Sequence, residues 1–143
     1  MEEAVLKYQL ACALAAWAHR DQVDKAGRPY IEHPLAVAEA VEGEEARLTA
    51  LLHDVVEDSS VTPDTLRNLF GEEVADAVEA LTHREGEDYF DYIRRLSRNS
   101  LARQVKLADL AHNMDLSRIS APGEEDRLRA EKYRRAREML LEP

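Results

Sequence analysis

The stretch LLHDVVEDSS, at positions 51–60, concentrates residues that could do chemistry. Read as a helix, it places His53 one turn before Glu57 and Asp54 one turn before Asp58, away from a stripe of leucines and valines. Carboxylates that share one helical face repel one another by about 0.2–0.5 kcal/mol per exposed pair, and by more when the face is desolvated. We therefore expect a positive charge to sit against this face.

Histidines are the first place to look for the ligands of a metal ion that could supply that charge. The sequence has five, at positions 19, 33, 53, 83 and 112. Neutral imidazole together with carboxylate suits a divalent transition ion, and sites with open positions use three or four protein ligands. His53 and Asp54 lie about 100° apart around a helix, so both reach one ion only if it lies between them. The remaining ligands must come from other helices, and His19 and Asp109 are the candidates.

Each of these candidates also has a structural interpretation. His19, at the end of a predicted helix, could be a cap or a solvated surface residue. Asp109 could pair with Lys106, which lies one turn before it. His33 directly precedes Pro34, so we expect it to cap a helix or to support a metal shell rather than to bind the ion.

Helical periodicity runs through most of the chain and predicts seven or eight helices, with no alternating pattern typical of a strand. The helix that carries the opening stretch is predicted from about Glu44 to Asp58. Thr62 and Pro63 form a start signal, and Gly71 is a stop signal. The first helix is predicted from about Glu2 to Asp21. Its predicted buried stripe consists of Leu6, Leu10, Leu14 and Trp17.

Composition bounds the class of protein. The 143 residues, 45% of them hydrophobic, fit one domain that spans positions 1–143. A net charge of −10 argues against a nucleic-acid polymer as partner, but it allows a small phosphorylated ligand. The acidic N-terminus and the lack of an apolar run of roughly 18 residues predict a cytoplasmic protein without a membrane partner. A single cysteine, Cys12, excludes an internal disulfide and a cysteine-rich zinc site.

Four motifs occur in a fixed order, AHRDQ, PYIEHP, ALLHDVVEDS and VKLADLAHNM. In this order they resemble the HD-superfamily metal-dependent phosphohydrolases. More closely, they resemble the hydrolase domain of RelA/SpoT-type enzymes and the small alarmone hydrolases. The resemblance extends from about Ala11 to Tyr133 and implies an all-α fold, a single compact HD-domain helical bundle.

By matching position, the resemblance implies a site for one divalent ion, which is manganese in the family. It also implies that Glu57 and Asp58 take part in catalysis and in ordering the attacking water. The family reaction removes the 3′-pyrophosphate from guanosine 3′,5′-bis(diphosphate) or its triphosphate analogue and releases pyrophosphate. The implied metal ligands are His19, His53, Asp54 and Asp109.

A substrate with several phosphates requires local bases in an acidic protein. The family's nucleotide-side positions, together with bases near the implied ligands, give six expected substrate contacts: Arg20, Lys25, Lys106, Asn113, Arg118 and Tyr133. His112 matches a family position that carries His or Tyr, which indicates a supporting role. Leu110 departs from the family, which usually has a basic residue there, and this change could remove a salt bridge or a phosphate contact.

Three functions compete at this point. The first is hydrolysis of the guanosine alarmone, and the second is an HD-type nucleotidase or phosphatase that acts on another small nucleotide. The third is a catalytically silent nucleotide-binding or helical interaction module, which loss of an implied ligand or of the Glu57–Asp58 pair would favour.

A site of two histidines and two aspartates accepts manganese, iron, cobalt or zinc. The sequence leaves the oligomeric state open, because the amphipathic last helix can pack on its own domain or on a partner.

Overall fold

The computed structural model describes residues 2–115, 117 and 119–142. In this part of the chain the regular elements are helices. One isolated β-bridge pairs Val23 with Pro29. Eight helices have at least eight residues and a ninth is a single turn, so the all-α prediction is confirmed. They are α1 (Glu2–Ala18), α2 (Glu32–Ala40), α3 (Glu44–Leu52), α4 (Val55–Asp58), α5 (Pro63–Phe70), α6 (Glu72–Leu81), α7 (Tyr89–Leu96), α8 (Ser100–Asn113) and α9 (Glu124–Leu141).

Helix α3 lies at the centre of the bundle. It packs against α1, α2, α6 and α8, and its Leu51 and Leu52 are fully buried. Val105 and Leu110 on α8 are buried in the same core. Because α3 is surrounded on several sides, its carboxyl end, which leads into His53, is held in the interior of the protein.

Local signals set several helix ends as the sequence predicts. Thr62 Oγ1 accepts a hydrogen bond from the Thr65 N–H at 3.2 Å, which satisfies one free donor at the start of α5. Gly71 has a φ of 96°, a conformation that glycine adopts without strain, and it separates α5 from α6. Pro34 is the third residue of α2, which begins at Glu32.

The predicted continuous helix from Glu44 to Asp58 is wrong in one respect. It is interrupted at His53 and Asp54, so that α3 ends at Leu52 and α4 begins at Val55. Asp54 has a ψ of −1°, which departs from helical geometry and turns the chain at this point. His53 and Asp54 therefore lie in the turn between the two helices.

The predicted burial of the first helix is also wrong. Leu6, Leu10 and Trp17 are exposed to solvent, whereas the small residues Ala11, Ala15 and Ala18 face the core. Alanines allow the backbone of α1 to approach α3 closely, and large side chains at these positions would hold the two helices apart. Leu14 is half-buried against the core. The large apolar side chains therefore form an outer face.

The loop between α1 and α2 is ordered by its own hydrogen bonds. Asp24 Oδ1 accepts from the N–H groups of Ala26 at 2.9 Å and Arg28 at 3.0 Å, and the Tyr30 N–H donates to the Gln22 carbonyl at 2.9 Å. This tight turn aims the Tyr30 ring back toward the bundle. Among the described helices, none combines the length and apolar character needed to cross a membrane.

Candidate metal centre and adjoining cavity

Three potential metal ligands meet where α2, the end of α3 and α8 come together. They are His33, His53 and Asp109, each only 3% exposed, and their ligand atoms lie within 4.8 Å of one another. His33 Nε2 is 2.7 Å from Asp109 Oδ1, and His53 Nε2 is 3.4 Å from the same oxygen. Two imidazoles and a carboxylate converging on one point could hold a divalent transition ion.

Asp54 lies at the edge of this cluster. Its Oδ2 is 3.1 Å from His53 Nε2 and accepts a hydrogen bond from the Tyr30 hydroxyl at 2.5 Å. Burial alone would raise the pKa of Asp54, but the charge of His53 outweighs it and lowers the pKa to about 2. Asp54 is therefore ionised and available as a fourth ligand.

The hydrogen bonds of the two ring nitrogens of His53 indicate whether a metal ion fits at this point. Its Nδ1 lies 2.5 Å from the Ala50 carbonyl oxygen, which can only accept, so the Nδ1–H donates. Its Nε2 is buried and makes no hydrogen bond with the described residues, although two carboxylates face it. Burial lowers the pKa of His53, but Asp54 and Asp109 raise it well above its usual range. A metal ion would satisfy this nitrogen and both carboxylates together, so the donor set fits one.

A surrounding set of contacts holds Asp109 and His33 in place. Lys106 Nζ lies 2.8 Å from Asp109 Oδ2, and Asn113 Nδ2 donates to Asp109 Oδ1 at 3.2 Å. Burial alone would raise the pKa of Asp109, but the charge of Lys106 holds it well below its usual range. His112 Nδ1 lies 2.7 Å from His33 Nδ1, which agrees with the supporting role predicted for His112.

The structure does not place His19 in the ligand cluster, contrary to its assignment as a ligand. His19 Nδ1 lies 2.5 Å from Gln22 Oε1 and 3.6 Å from Asp58 Oδ2. The Tyr30 ring stands between His19 and His33, with centroid distances of 4.8 Å and 5.7 Å. Among the described residues, the group whose ligand atoms converge contains His33, His53 and Asp109 and does not include His19.

His33 lies in the candidate cluster, where the sequence analysis expected His19. It lies in the first turn of α2, and α2 packs against α8, which carries Asp109. The expectation that His33 caps a helix rested only on its position before Pro34. That position gives no information about the packing of α2 against α8. The PYIEHP motif was the signal that could have identified it, because it is one of the four ordered motifs.

The two acids of the single turn α4 point to different neighbours. Glu57 Oε1 accepts a hydrogen bond from the His83 N–H at 2.5 Å, whereas Asp58 faces His19. The Glu57 residue is exposed as a whole, but partial desolvation of its carboxyl raises its pKa. A carboxylate that is one turn from Asp54 and has a raised pKa is suited to proton transfer.

A cavity of about 380 Å³ adjoins the cluster. Two of its lining residues form hydrogen bonds with carboxylates of the candidate metal centre. Tyr30 donates to Asp54, and Asn113 donates to Asp109. Three of the predicted substrate residues, Lys25, Asn113 and Tyr133, line this cavity. Tyr30 and Arg129 also line it but were not predicted. Tyr30 belongs to the PYIEHP motif, whereas Arg129 lies outside the four motifs.

The other predicted substrate residues lie elsewhere. Arg20 covers the Trp17 ring at 4.8 Å and lines a separate cavity of about 420 Å³ beside Asp58. The Lys106 side chain is largely covered and forms an ion pair with Asp109, so the structure favours the ion-pair interpretation over a phosphate contact. Arg118 lies outside the described residues. Leu110, which replaces a basic residue of the family, is fully buried in the core.

Comparisons with known proteins agree with this geometry. The HD domain family model matches residues 11–108. The chain is 37% identical over 123 residues to the zebrafish guanosine-3′,5′-bis(diphosphate) 3′-pyrophosphohydrolase MESH1, covering 76% of this chain and 68% of that protein. It is 33% identical over 128 residues to the bifunctional (p)ppGpp synthase/hydrolase SpoT of Escherichia coli, covering 79% of this chain and 18% of SpoT.

A third relative, from Synechocystis, is a probable guanosine-3′,5′-bis(diphosphate) 3′-pyrophosphohydrolase. It is 32% identical over 148 residues, which cover 91% of this chain and 20% of the relative. The chain thus spans about a fifth of the length of the Synechocystis and E. coli proteins. The solved structure of a metazoan SpoT orthologue that hydrolyses ppGpp superimposes with a TM-score of 0.75 at 26% identity, covering 94% of this chain and 85% of that one. The chain therefore belongs to the HD domain family and is homologous to the SpoT and MESH1 hydrolases.

Proposed function

We propose that this domain hydrolyses the 3′-pyrophosphate of guanosine 3′,5′-bis(diphosphate) and of the triphosphate analogue, releasing pyrophosphate. The observation that carries the proposal is the buried convergence of His33, His53 and Asp109 on one point, beside a cavity whose lining includes two basic residues, Lys25 and Arg129. Relatives that share most of this chain's length are named for that reaction. An HD nucleotidase acting on another small nucleotide is the alternative that the experiment below separates.

His33, His53, Asp54 and Asp109 would hold one divalent ion. Manganese suits this set because imidazole and carboxylate supply all the ligands and no thiolate takes part. When bound, the ion would supply Lewis-acid chemistry, polarising a phosphoryl oxygen and lowering the pKa of water. The protein contributes rigidity, since Tyr30 fixes Asp54 at a distance of 2.5 Å through a hydrogen bond.

Glu57 is the group best placed to handle the proton of the attacking water. Its Oε1 is held by the His83 N–H, which leaves Oε2 free to accept from water, and its raised pKa brings proton exchange closer to neutral pH. Asp58 faces His19 and can orient a second water or a leaving-group oxygen on the opposite side of α4. General acid–base catalysis of this kind contributes about 10²–10⁴-fold.

The cavity supplies contacts for a small phosphorylated nucleotide. Its volume of about 380 Å³ falls within the usual range for small-molecule sites. Lys25 offers an ammonium to phosphate oxygens, and the Tyr133 ring offers a flat surface to a base or ribose. Arg129 Nη2 lies 2.6 Å from Asp126 Oδ1, so that this guanidinium is held at the wall of the cavity by an acidic neighbour.

The test is turnover of the purified chain with added manganese. Pyrophosphate release from guanosine 3′,5′-bis(diphosphate) would be measured beside a panel of nucleoside mono- and diphosphates, with a chelator-treated sample as control. The proposal predicts pyrophosphate from the alarmone, loss of activity with chelator, and much slower release from the panel. Activity only on panel nucleotides would support the nucleotidase alternative. Bound metal without turnover of any nucleotide would contradict both and favour a silent binding module.

A further inference from the structure

The outward face of α1 carries a continuous apolar stripe that no described element covers. Leu6, Leu10 and Trp17 are 64%, 42% and 47% exposed, and Ala13 is exposed between them. The steps along the chain are four, three and four residues, the spacing of a helix–helix seam. Scattered apolar residues on a surface are ordinary, but a contiguous row on one helix indicates an interaction site. We call these four residues the α1 stripe.

The order of side chains within the α1 stripe is symmetrical. Leu6 and Trp17 lie equally far from the point midway between positions 11 and 12, and so do Leu10 and Ala13. An antiparallel second copy would therefore place Leu6 against Trp17 of the other copy, and Leu10 against Ala13. Each large side chain meets a complementary neighbour, and Ala13 at the middle allows the two helices to approach closely.

Charges at the two ends of α1 have the same symmetry. Glu3 and Arg20 lie equally far from the same midpoint, and both are exposed. Arg20 lies over the Trp17 ring, so its guanidinium is held at the end of the stripe. An antiparallel pair places Glu3 of each copy near Arg20 of the other, whereas a parallel pair would bring like charges together. Antiparallel helix dipoles favour the same arrangement.

We propose that the α1 stripe is the interface of an antiparallel, two-fold symmetric dimer of this chain. The proposal is independent of the proposed function, because the stripe lies opposite the alanine face of α1 that packs against the core. A single pair of helices is at the low end of stable interfaces, so the dimer is reversible, with a Kd in the micromolar range.

Sedimentation equilibrium of the full chain tests the proposal, with matched variants at neighbouring positions. Leu6 and Val5 are both large, apolar and exposed, but they point about 100° apart around the helix and only Leu6 belongs to the stripe. We expect Leu6→Glu to weaken dimerisation at least tenfold and Val5→Glu to change it less than threefold, with equal helix content by circular dichroism. A chain that stays monomeric up to about 200 µM, or equal effects of both variants, would overturn the proposal.

The only tryptophan of the chain gives a second measurement. Trp17 is half-exposed in one copy and becomes covered by Leu6 of the other, so its emission shifts to shorter wavelength as concentration rises. The shift is expected in Val5→Glu and absent in Leu6→Glu. A tryptophan emission independent of concentration in a chain that dimerises would show that another surface is used, and would overturn the assignment.

Cross-linking distinguishes an antiparallel from a parallel arrangement of the two α1 helices. In a Cys12→Ser background, Leu10→Cys and Ala13→Cys proteins would be mixed and oxidised gently. The antiparallel register predicts disulfides mainly between a Leu10→Cys copy and an Ala13→Cys copy, whereas a parallel pair would give mainly like-with-like products and refute the register.

Reversing charge in Glu3→Arg or Arg20→Glu alone should weaken the dimer several-fold, and the double reversal should restore it.

Discussion

The metal cluster and the adjoining cavity differ in how many contacts fix each side chain. His33, His53 and Asp109 are almost fully buried and are held by residues from at least two helices. Lys25, by contrast, is exposed on the loop before α2. The cluster is rigid before any ligand arrives, whereas the cavity can adjust to its ligand. Variants in the cluster should therefore affect metal and stability, and variants in the cavity should affect substrate affinity.

The largest effect is expected for Asp109→Ala. It removes a ligand and leaves the buried Lys106 ammonium without its partner, so metal binding and activity should fall to background. In the metal-free protein the free energy of unfolding should drop by about 3–5 kcal/mol, measured by urea denaturation. Asp91→Ala, which breaks the exposed pair with Arg94, is the matched control and should cost under about 1 kcal/mol. Equal losses in both variants would show that Asp109 is not a buried anchor.

Glu57→Gln should separate proton transfer from metal binding. The amide keeps the shape of the side chain, so manganese affinity should stay near wild type while kcat falls about 10²–10⁴-fold. Desolvation raises the pKa of the Glu57 carboxyl, so its ionised form appears only above the usual glutamate range near pH 4.3. If Glu57 acts as a base, turnover rises with pH through this raised pKa, and the rise should disappear in Glu57→Gln. Normal turnover by the variant would refute the role.

Tyr30→Phe probes the boundary between the two regions. It removes the hydroxyl that donates to Asp54 at 2.5 Å but keeps the ring between His19 and His33. Manganese affinity should fall about 10–100-fold, as for other groups that orient metal ligands, with little change in stability. Isothermal titration measures the affinity. An unchanged affinity would mean that Asp54 does not depend on this hydrogen bond, or is not a ligand.

The smallest effect is expected for Lys25→Ala in the cavity. If Lys25 binds a phosphate equally in the ground and transition states, KM should rise several-fold, up to about tenfold, with kcat unchanged. Arg20→Ala is the comparison, because Arg20 lines the other cavity and covers Trp17. Steady-state kinetics should show little change in KM for Arg20→Ala. A larger rise in KM for Arg20→Ala than for Lys25→Ala would place the phosphates in the cavity beside Asp58.

The sequence predicted best what depends on neighbouring residues. Thr62 and Gly71 mark helix ends where the structure has them, because capping is set by local geometry. The HD dipeptide was predicted to be a ligand pair because its residue types carry the chemistry, and its His53 belongs to the candidate cluster. The helical interruption after Leu52 was not predicted, since the pattern of apolar residues continues across it.

Properties that depend on packing could not be predicted in the same way. The apolar stripe of α1 has the spacing of a buried face, but the alanines opposite it fit more closely against α3. Periodicity alone does not say which of two apolar faces is inside. His33 and His19 both lie near predicted helix ends, and the packing of α2 against α8 shows that His33 reaches Asp109.

The most direct test of the metal site is a manganese titration of the wild type beside His33→Gln and His19→Gln, using electron paramagnetic resonance to count free ion. We expect one ion per chain in the wild type, affinity within about threefold of wild type in His19→Gln, and affinity at least about 100-fold weaker in His33→Gln. Circular dichroism of each variant would confirm that the helices are intact. Loss of binding in His19→Gln with normal binding in His33→Gln would contradict the ligand set and restore the assignment of His19.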